Sequence, residues 1–162
     1  MHILFAIDDT DDRENPLSDE HFETISDFLR QMKPTRMGYP SIYRLSADAA
    51  CNATRHNTAH VREYIINTLD IPDFIEYAQS FLRKVPPPTA NPGLCVVEIE
   101  RLEQPQKLID FGRRACMTLL TKEDAYAAVS GEPHVHLSEH GGDGRGVIGA
   151  LAACGLRLAG ED

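Results

Sequence analysis

Four of the five residues that follow the N-terminal apolar run carry carboxylates. This acidic loop is Asp8-Asp9-Thr10-Asp11-Asp12, and it comes directly after the nearly continuous apolar residues 2–7. Carboxylates this close together raise one another's pKa or attract a cation. Mg²⁺ is the expected cation, because it takes hard oxygen ligands and usually binds one or two carboxylates together with substrate phosphates. The loop therefore predicts a site for Mg²⁺ and a nucleotide phosphate at the end of a buried strand, where open α/β sheets collect ligands.

Three other interpretations of the acidic loop fit the sequence less well. A solvated acidic turn would need fewer acids and no apolar strand before it. A calcium-binding EF-hand needs glycine at its sixth position and glutamate at its twelfth, and counting from Asp8 these places hold Arg13 and Asp19. A phosphatase with an aspartyl nucleophile would carry a small β-branched residue where Arg13 stands, so the loop matches only the first half of that pattern.

A second group of residues suited to binding phosphate lies near the C-terminus. The glycine segment, residues 144–149, places Gly144, Gly146 and Gly149 where a loop enters a helix. Glycines let backbone N–H groups approach an anion closely, and a helix N-terminus favours negative charge. Arg145 could add a bidentate contact to a phosphate. Glycines before a helix also serve packing, but an acidic metal loop and an anion-binding segment together make the two halves of a nucleotide site.

Two polar clusters give weaker signals. His134, His136 and His140 could bind a metal, because alternate positions on a strand face the same side, although ordinary structural histidines fit the pattern as well. Residues 54–57, which include Arg55, are equally consistent with a ligand contact and with an ordinary loop. Ser18 could accept a phosphoryl group, but a role as helix N-cap also explains it.

Hydrophobic periodicity supplies the elements that must position these groups. The pattern predicts one domain over residues 1–162, of the α/β (α+β) class, with a mixed central sheet flanked by helices. The strands are expected at residues 2–7, 42–45, within 60–66 and at 94–99. The helices are expected from Ser18 to about residue 33, from Pro72 to about 85, over 105–119, after a Thr121 cap with Asp124, and over 147–154.

Composition limits the classes of function. The chain has 162 residues and a net charge of −9, so it is not expected to bind nucleic acid by general electrostatic attraction. Its four cysteines, Cys51, Cys95, Cys116 and Cys154, show no zinc or disulfide spacing, which favours reduced thiols and a cytoplasmic location. No apolar stretch is long enough to cross a membrane.

Several separated segments together resemble the N-terminal kinase-like domain of the tRNA-isoleucine agmatidine synthetases (TiaS). The resemblance runs from residue 3 to about residue 158. It rests on Ile7 to Asp11, Gly38-Tyr39-Pro40 with Arg44-Leu45, Thr54-Arg55 with Asn57, Asn91-Pro92-Gly93, and Gly144 to Ala153. The first and last of these segments are specific as a pair, and the middle ones would mean little alone.

The resemblance implies a domain that binds ATP with Mg²⁺ and has a kinase-like activity toward a tRNA cytidine and toward its own threonine. It implies that Asp8, Asp9 and Asp11 hold the metal and position phosphates. Thr10, Arg55 and the glycine segment would then bind the nucleotide. Ser18 falls at about the phosphoacceptor position. The nucleotide is thus an expected partner, the acceptor substrate is not defined, and a homo-oligomer is compatible with the sequence.

Departures from the family pattern leave a second class of function open. Ala53 stands where the family has a basic residue, and His56 stands where it has a glycine. The chain also lacks the family's tRNA-reading modules, so we do not expect it to bind tRNA directly without a partner. We therefore expect an ATP-dependent phosphotransferase or ATPase, with a catalytically inactive nucleotide sensor or partner-binding module as the alternative and an aspartyl phosphatase third.

Overall fold

A central β-sheet with helices on both faces forms the body of the protein in a computed structural model, which describes residues 1–11, 18–45 and 58–161. Within these ranges the strands are β1 (His2–Asp8), β2 (Arg36–Met37), β3 (Ser41–Arg44), β4 (Thr58–Ile65), β5 (Gly93–Glu98) and β6 (Val135–Glu139). The helices are α1 (Ser18–Gln31), α2 (Ile71–Lys84), α3 (Pro105–Met117), α4 (Lys122–Val129) and α5 (Gly146–Leu158), and single 3₁₀ turns lie at Thr68–Asp70 and Ile99–Arg101.

The strand order is β2-β4-β1-β5-β6, and β3 also pairs with β4. Each pairing is antiparallel, including those of the central strand β1 with β4 and with β5. The predicted α/β class with a central sheet and flanking helices is confirmed. The strand directions differ from the expected mixed sheet, because directions depend on pairing between distant segments and leave no local pattern in the sequence.

The central strand β1 is apolar throughout because both of its faces are covered. Ile3, Phe5 and Ile7 pack with α1 and α2, whereas Leu4 and Ala6 pack with α3, α4 and α5. Such burial on both faces explains a continuous apolar run in place of an alternating one. On the first face the Phe5 ring stacks on Phe22 of α1 at 5.0 Å and meets the edge of Phe74 of α2 at 5.2 Å.

Helix α5 approaches the sheet and α3 closely because its buried face is built from small residues. Gly149, Ala150, Ala152, Ala153 and Gly155 are all buried. A Cβ on Gly155 would lie 1.9 Å from the carbonyl oxygen of Leu108 in α3, so only glycine fits there. This close packing fixes the N-terminal turn of α5 against the ends of β1 and β5.

The predicted elements are largely confirmed, with shifts at their ends. The Thr121 cap forms a full capping box with Asp124, and α5 extends past residue 154 to Leu158. Ser18 is not an N-cap as predicted. It is already within α1, and its hydroxyl donates to the Asp11 carboxylate at 3.1 Å, a contact that depends on how the acidic loop packs against α1 and leaves no local pattern in the sequence.

No helix in the described part of the chain is long and apolar enough to cross a membrane.

Candidate functional site

The acidic loop and the glycine segment meet at one end of the sheet. Asp8 is the last residue of β1, and its side chain points toward the first turn of α5. A Cβ on Gly149 would lie 1.8 Å from Asp8 Oδ2 and 2.5 Å from its Cγ. The absent side chain at position 149 is therefore the space that the Asp8 carboxylate occupies.

Asn91 ties the two segments together through four hydrogen bonds. Its backbone N–H donates to the Asp9 carbonyl at 3.2 Å, and its Nδ2 donates to Asp9 Oδ2 at 3.3 Å. Its carbonyl accepts from Gly146 N at 2.9 Å, and its Oδ1 accepts from Asp143 N at 2.9 Å. In the sequence Asn91 stands out only within the Asn91-Pro92-Gly93 segment of the family resemblance, because its partners are distant in the sequence and three of them are backbone atoms.

Backbone contact leaves no room for side chains at two glycines of this junction. A Cβ on Gly93 would lie 2.1 Å from Gly146 C, and one on Gly146 would lie 2.4 Å from Gly93 N. Gly144 has φ +72°, a conformation that glycine adopts without strain. Asp9 also has a positive φ, +54°, which aspartate tolerates better than most residues. The junction is therefore fixed by residue types that cannot be exchanged freely.

Burial raises the pKa of all three predicted aspartates. The pKa of Asp8 is raised well above its ordinary value by burial and then by the neighbouring charge of Asp9. Burial also raises the pKa of Asp9, against the opposing effects of Asn91 and Arg145, and burial raises that of Asp11 against the hydrogen bond from Ser18. A cation bound among these groups would favour their ionised forms.

The three carboxylates diverge, however, and do not form a metal centre by themselves. Asp8 faces α5, whereas Asp11 accepts from Ser18 at the start of α1. Among residues 1–11, 18–45 and 58–161, no group of three or more histidine, cysteine, aspartate or glutamate side chains could hold a metal ion. The donor set fits Mg²⁺ only in its usual mode, with one or two carboxylates and the remaining oxygens from phosphates and water.

Arg145 is close to the site but is already paired. Its Nε donates to Asp143 Oδ2 at 2.9 Å, and its backbone N–H donates to Asp143 Oδ1 at 3.0 Å. The guanidinium lowers the pKa of Asp143. Arg145 could therefore contact a phosphate only by leaving the Asp143 carboxylate or by bonding to both groups at once.

The far end of the acidic loop contains two buried polar residues, of which the sequence singled out Thr10 but not His60. Thr10 is fully buried, and its Oγ1 has no hydrogen-bond partner among the described residues. His60 of β4 is also buried, and its Nε2 lies 2.5 Å from Oδ1 of Asp19 in the first turn of α1. This contact holds the turn that carries Ser18 against the sheet. The two residues are 41 positions apart, and the sequence shows no signal that pairs them.

The remaining predicted residues lie away from this junction or outside the described ranges. Asp12, Arg55 and Cys51 fall outside the described residues, whereas Cys95, Cys116 and Cys154 are free thiols. His136 and His140 share the hydroxyl of Ser138, and His134 lies 3.7 Å from Glu98. The three histidines therefore do not converge on one point.

The fold of this α/β domain is similar to that of part of several solved structures. Among them are structures of TiaS. The chain matches the complex of TiaS with an isoleucine tRNA and ATP with a TM-score of 0.81 and 24% identity, over 96% of this chain and 36% of that one. It matches apo TiaS, described as an agmatidine synthetase for that tRNA, with a TM-score of 0.78 and 23% identity, over 96% and 35% of the two chains.

A third match, the complex of TiaS with the same tRNA, AMPCPP and agmatine, has a TM-score of 0.78 and 23% identity over 96% of this chain and 36% of that one. The chain thus spans about a third of the length of these proteins. The resemblance inferred from the sequence is confirmed at the level of the fold. No family model matches the sequence, and no curated protein matches it.

Proposed function

We propose that the chain binds ATP with Mg²⁺ at the junction of the acidic loop and the glycine segment, and that it transfers a phosphoryl group. The observation that carries this proposal is the Asp8 carboxylate seated against Gly149 in the first turn of α5. This arrangement places metal-binding oxygens beside the N-terminal turn of α5, whose partial positive charge favours the phosphates of a nucleotide. The solved TiaS complexes with ATP and with AMPCPP support the choice of nucleotide.

In this proposal Asp8 and Asp9 hold the cation, and Asp11 contributes its carboxylate from the side of the site next to α1. Gly144, Gly146 and Gly149 let the start of α5 pack closely against its neighbours, which would position this turn for the phosphates. Thr10 lines the loop, and Arg145 and Arg55 add positive charge. Phosphoryl transfer needs little covalent chemistry from the protein, so positioning and charge neutralisation would supply most of the catalysis.

Ser18 is the candidate phosphoacceptor within the chain itself. Its Oγ donates to Asp11 Oδ2 at 3.1 Å, which places a carboxylate where it can take the hydroxyl proton as a phosphoryl group is transferred. The acceptor outside the chain is not defined. We expect contact with tRNA only through a partner, because the chain carries a net charge of −9. A cytoplasmic location and a single domain over residues 1–162 remain predictions.

One contact favours the alternative of a nucleotide sensor without turnover. The pairing of Arg145 with Asp143 reduces the positive charge that a transition state would meet. A sensor would bind ATP with Mg²⁺ but release no ADP, and the proposed enzyme would release it. An aspartyl phosphatase would hydrolyse simple phosphate esters without any nucleotide.

The test is thermal unfolding with ATP and Mg²⁺ against Mg²⁺ alone, followed by an assay for ADP. Ligand at about 100 times its Kd should add about 2.7 kcal/mol, a rise in Tm of roughly 5–10 °C. The Asp8→Asn/Asp9→Asn variant should lose this rise. The matched control, Asp73→Asn/Glu123→Gln, removes two exposed helical carboxylates and should keep it. No rise in the wild-type protein at millimolar ATP would refute the nucleotide site.

A further inference from the structure

A cleft between α2 and β6 contains polar groups that the proposed nucleotide site does not use. Helix α2 contributes every fourth residue along one stripe, Ile71, Ile75, Gln79 and Arg83, and β6 with the residue after it contributes alternate residues, His136, Ser138 and His140. We call this feature the α2–β6 cleft. It lies on the face of the sheet opposite α5 and Asp8.

One end of the α2–β6 cleft is a chain of hydrogen-bonded side chains. Gln79 Nε2 lies 3.1 Å from His136 Nε2, which lies 2.7 Å from Ser138 Oγ, and the same hydroxyl lies 2.7 Å from His140 Nε2. A hydroxyl has one proton, so one of the two rings donates to Ser138 while the other accepts. These contacts fix the orientation of both imidazoles.

The same end carries positive charge without a neighbouring carboxylate. Arg83 has no ion pair or hydrogen bond within the part of the chain that the structure describes, and it lies close enough to His140 to affect it. Burial, then Arg83 and then His136, lowers the pKa of His140 to about 4. No acid contributes to that shift. Arg83 is an exposed cation, and it lies on the same stripe of α2 as Gln79, one turn further along.

The other end of the α2–β6 cleft has room for a small ligand. A cavity of about 210 Å³ is lined in part by Ile71, Ile75 and Val96, and it reaches His136. Glu98 and His134, which lie 3.7 Å apart, close its far side. The cleft therefore joins a cavity with a mixed polar and aliphatic lining to a cationic end along one helix face, with Gln79 and His136 between them.

We propose that the α2–β6 cleft binds a small phosphate ester, with its phosphate at Arg83, Gln79 and His140 and its organic part in the cavity. The Arg83 guanidinium and the amide N–H groups of Gln79 match the oxygens of a phosphate. The cavity combines aliphatic side chains with polar groups, as small-molecule sites usually do. Asp8 of β1 pairs with Gly93 of β5, and Gly93 pairs with Glu139 of β6. His140 follows Glu139, so it lies about two strand spacings, roughly 10 Å, from the acidic loop.

The experiment uses phenyl phosphate and inorganic phosphate as probes, titrated into isotopically labelled protein at constant ionic strength. We expect phenyl phosphate to shift the ring signals of His136 and His140 and to bind more tightly than inorganic phosphate, because only the ester fills the cavity. Arg83→Gln should raise its Kd by about tenfold or more, since it removes a charged hydrogen bond. The matched control is Lys84→Gln, which removes the adjacent exposed cation and should change Kd by less than about twofold.

Equal weakening by Arg83→Gln and Lys84→Gln would overturn the proposal, because it would indicate general attraction by charge. Shifts confined to the amides of residues 144–149 would also overturn it, since the probe would then occupy the nucleotide site. The Asp8→Asn/Asp9→Asn variant should bind phenyl phosphate like the wild type. The two proposals are therefore tested independently, and the failure of one does not refute the other.

Discussion

The contact between Asp8 and Gly149 gives the sharpest prediction of the structure. In a free helix, Gly149→Ala should stabilise α5 by about 1 kcal/mol, because alanine has the higher helix propensity. Here the added Cβ would lie 1.8 Å from Asp8 Oδ2 and 2.5 Å from its Cγ. Forcing extra atoms into a packed region costs about 1–3 kcal/mol. We therefore expect a net destabilisation of up to about 2 kcal/mol.

A double-mutant cycle isolates this contact. In an Asp8→Ala background the carboxylate is gone, and the remaining Cβ at position 8 lies 3.0 Å from the added Cβ, a tight contact that a small shift relieves. Gly149→Ala should then be nearly neutral, so the two substitutions should couple by about 1–2 kcal/mol. Urea unfolding of the four proteins at one pH measures this coupling.

The same substitution should weaken nucleotide binding, because a displaced Asp8 can no longer bind the cation of ATP·Mg²⁺. We expect its Kd to rise by about tenfold or more, which corresponds to about 1.4 kcal/mol, by calorimetric titration. Equal destabilisation by Gly149→Ala in both backgrounds would refute the contact. An unchanged Kd would refute the role of Asp8 in binding.

Three further changes test other parts of the structure. Glu132→Ala should cost about 2–3 kcal/mol, because this buried carboxylate accepts from the backbone N–H groups of Glu103 and Gln104. Thr121→Ala should cost about 1 kcal/mol through loss of the capping box. His140→Gln should reduce the loss of stability between pH 6.5 and 4. The folded pKa of His140 lies below its ordinary value, so protonation favours the unfolded chain as the pH falls. The full shift from 6.5 to about 4 amounts to about 3 kcal/mol, which solvent screening reduces to about 1–2 kcal/mol.

Denaturant unfolding at fixed temperature measures all three, and exposed residues supply the controls. Glu123→Ala removes an exposed carboxylate from α4 and should change stability by less than about 0.5 kcal/mol. An equally small effect of Glu132→Ala would contradict its role, as would a Thr121→Ala variant as stable as the wild type. For His140, identical pH profiles of wild type and variant would show that its titration is not coupled to folding.

The sequence predicted elements whose pattern is local. The apolar run of β1 and the stripes of α1 and α2 are visible because burial repeats with the period of the element. The two-residue strand β2, Arg36–Met37, is exposed on both residues and too short to show a period, so the sequence does not predict it. The antiparallel directions of the sheet were not predictable either, since they arise from pairings such as Ile3 with Tyr64.

The site was predictable in its components but not in its connections. Acids after a buried strand and glycines before a helix are local patterns, and their chemistry suggested that they meet. The contact between Asp8 and Gly149 depends on how α5 packs on the sheet, and that packing depends on small residues along the whole helix. Asn91 connects both halves through two backbone and two side-chain hydrogen bonds to residues far away in the sequence, and no local pattern marks such contacts.

The energetics of the acidic loop favour a binding role over a structural one. Burial and mutual repulsion raise the pKa of Asp8, which means that its ionised form destabilises the folded chain. The described side chains place no cation against Asp8, whereas Glu23 has both Arg30 and Arg62 as partners. A carboxylate with a structural role would be expected to have cationic partners, as Glu23 does. Residues that weaken the folded chain while fixing a defined geometry are characteristic of functional sites, because a bound ligand compensates for their cost.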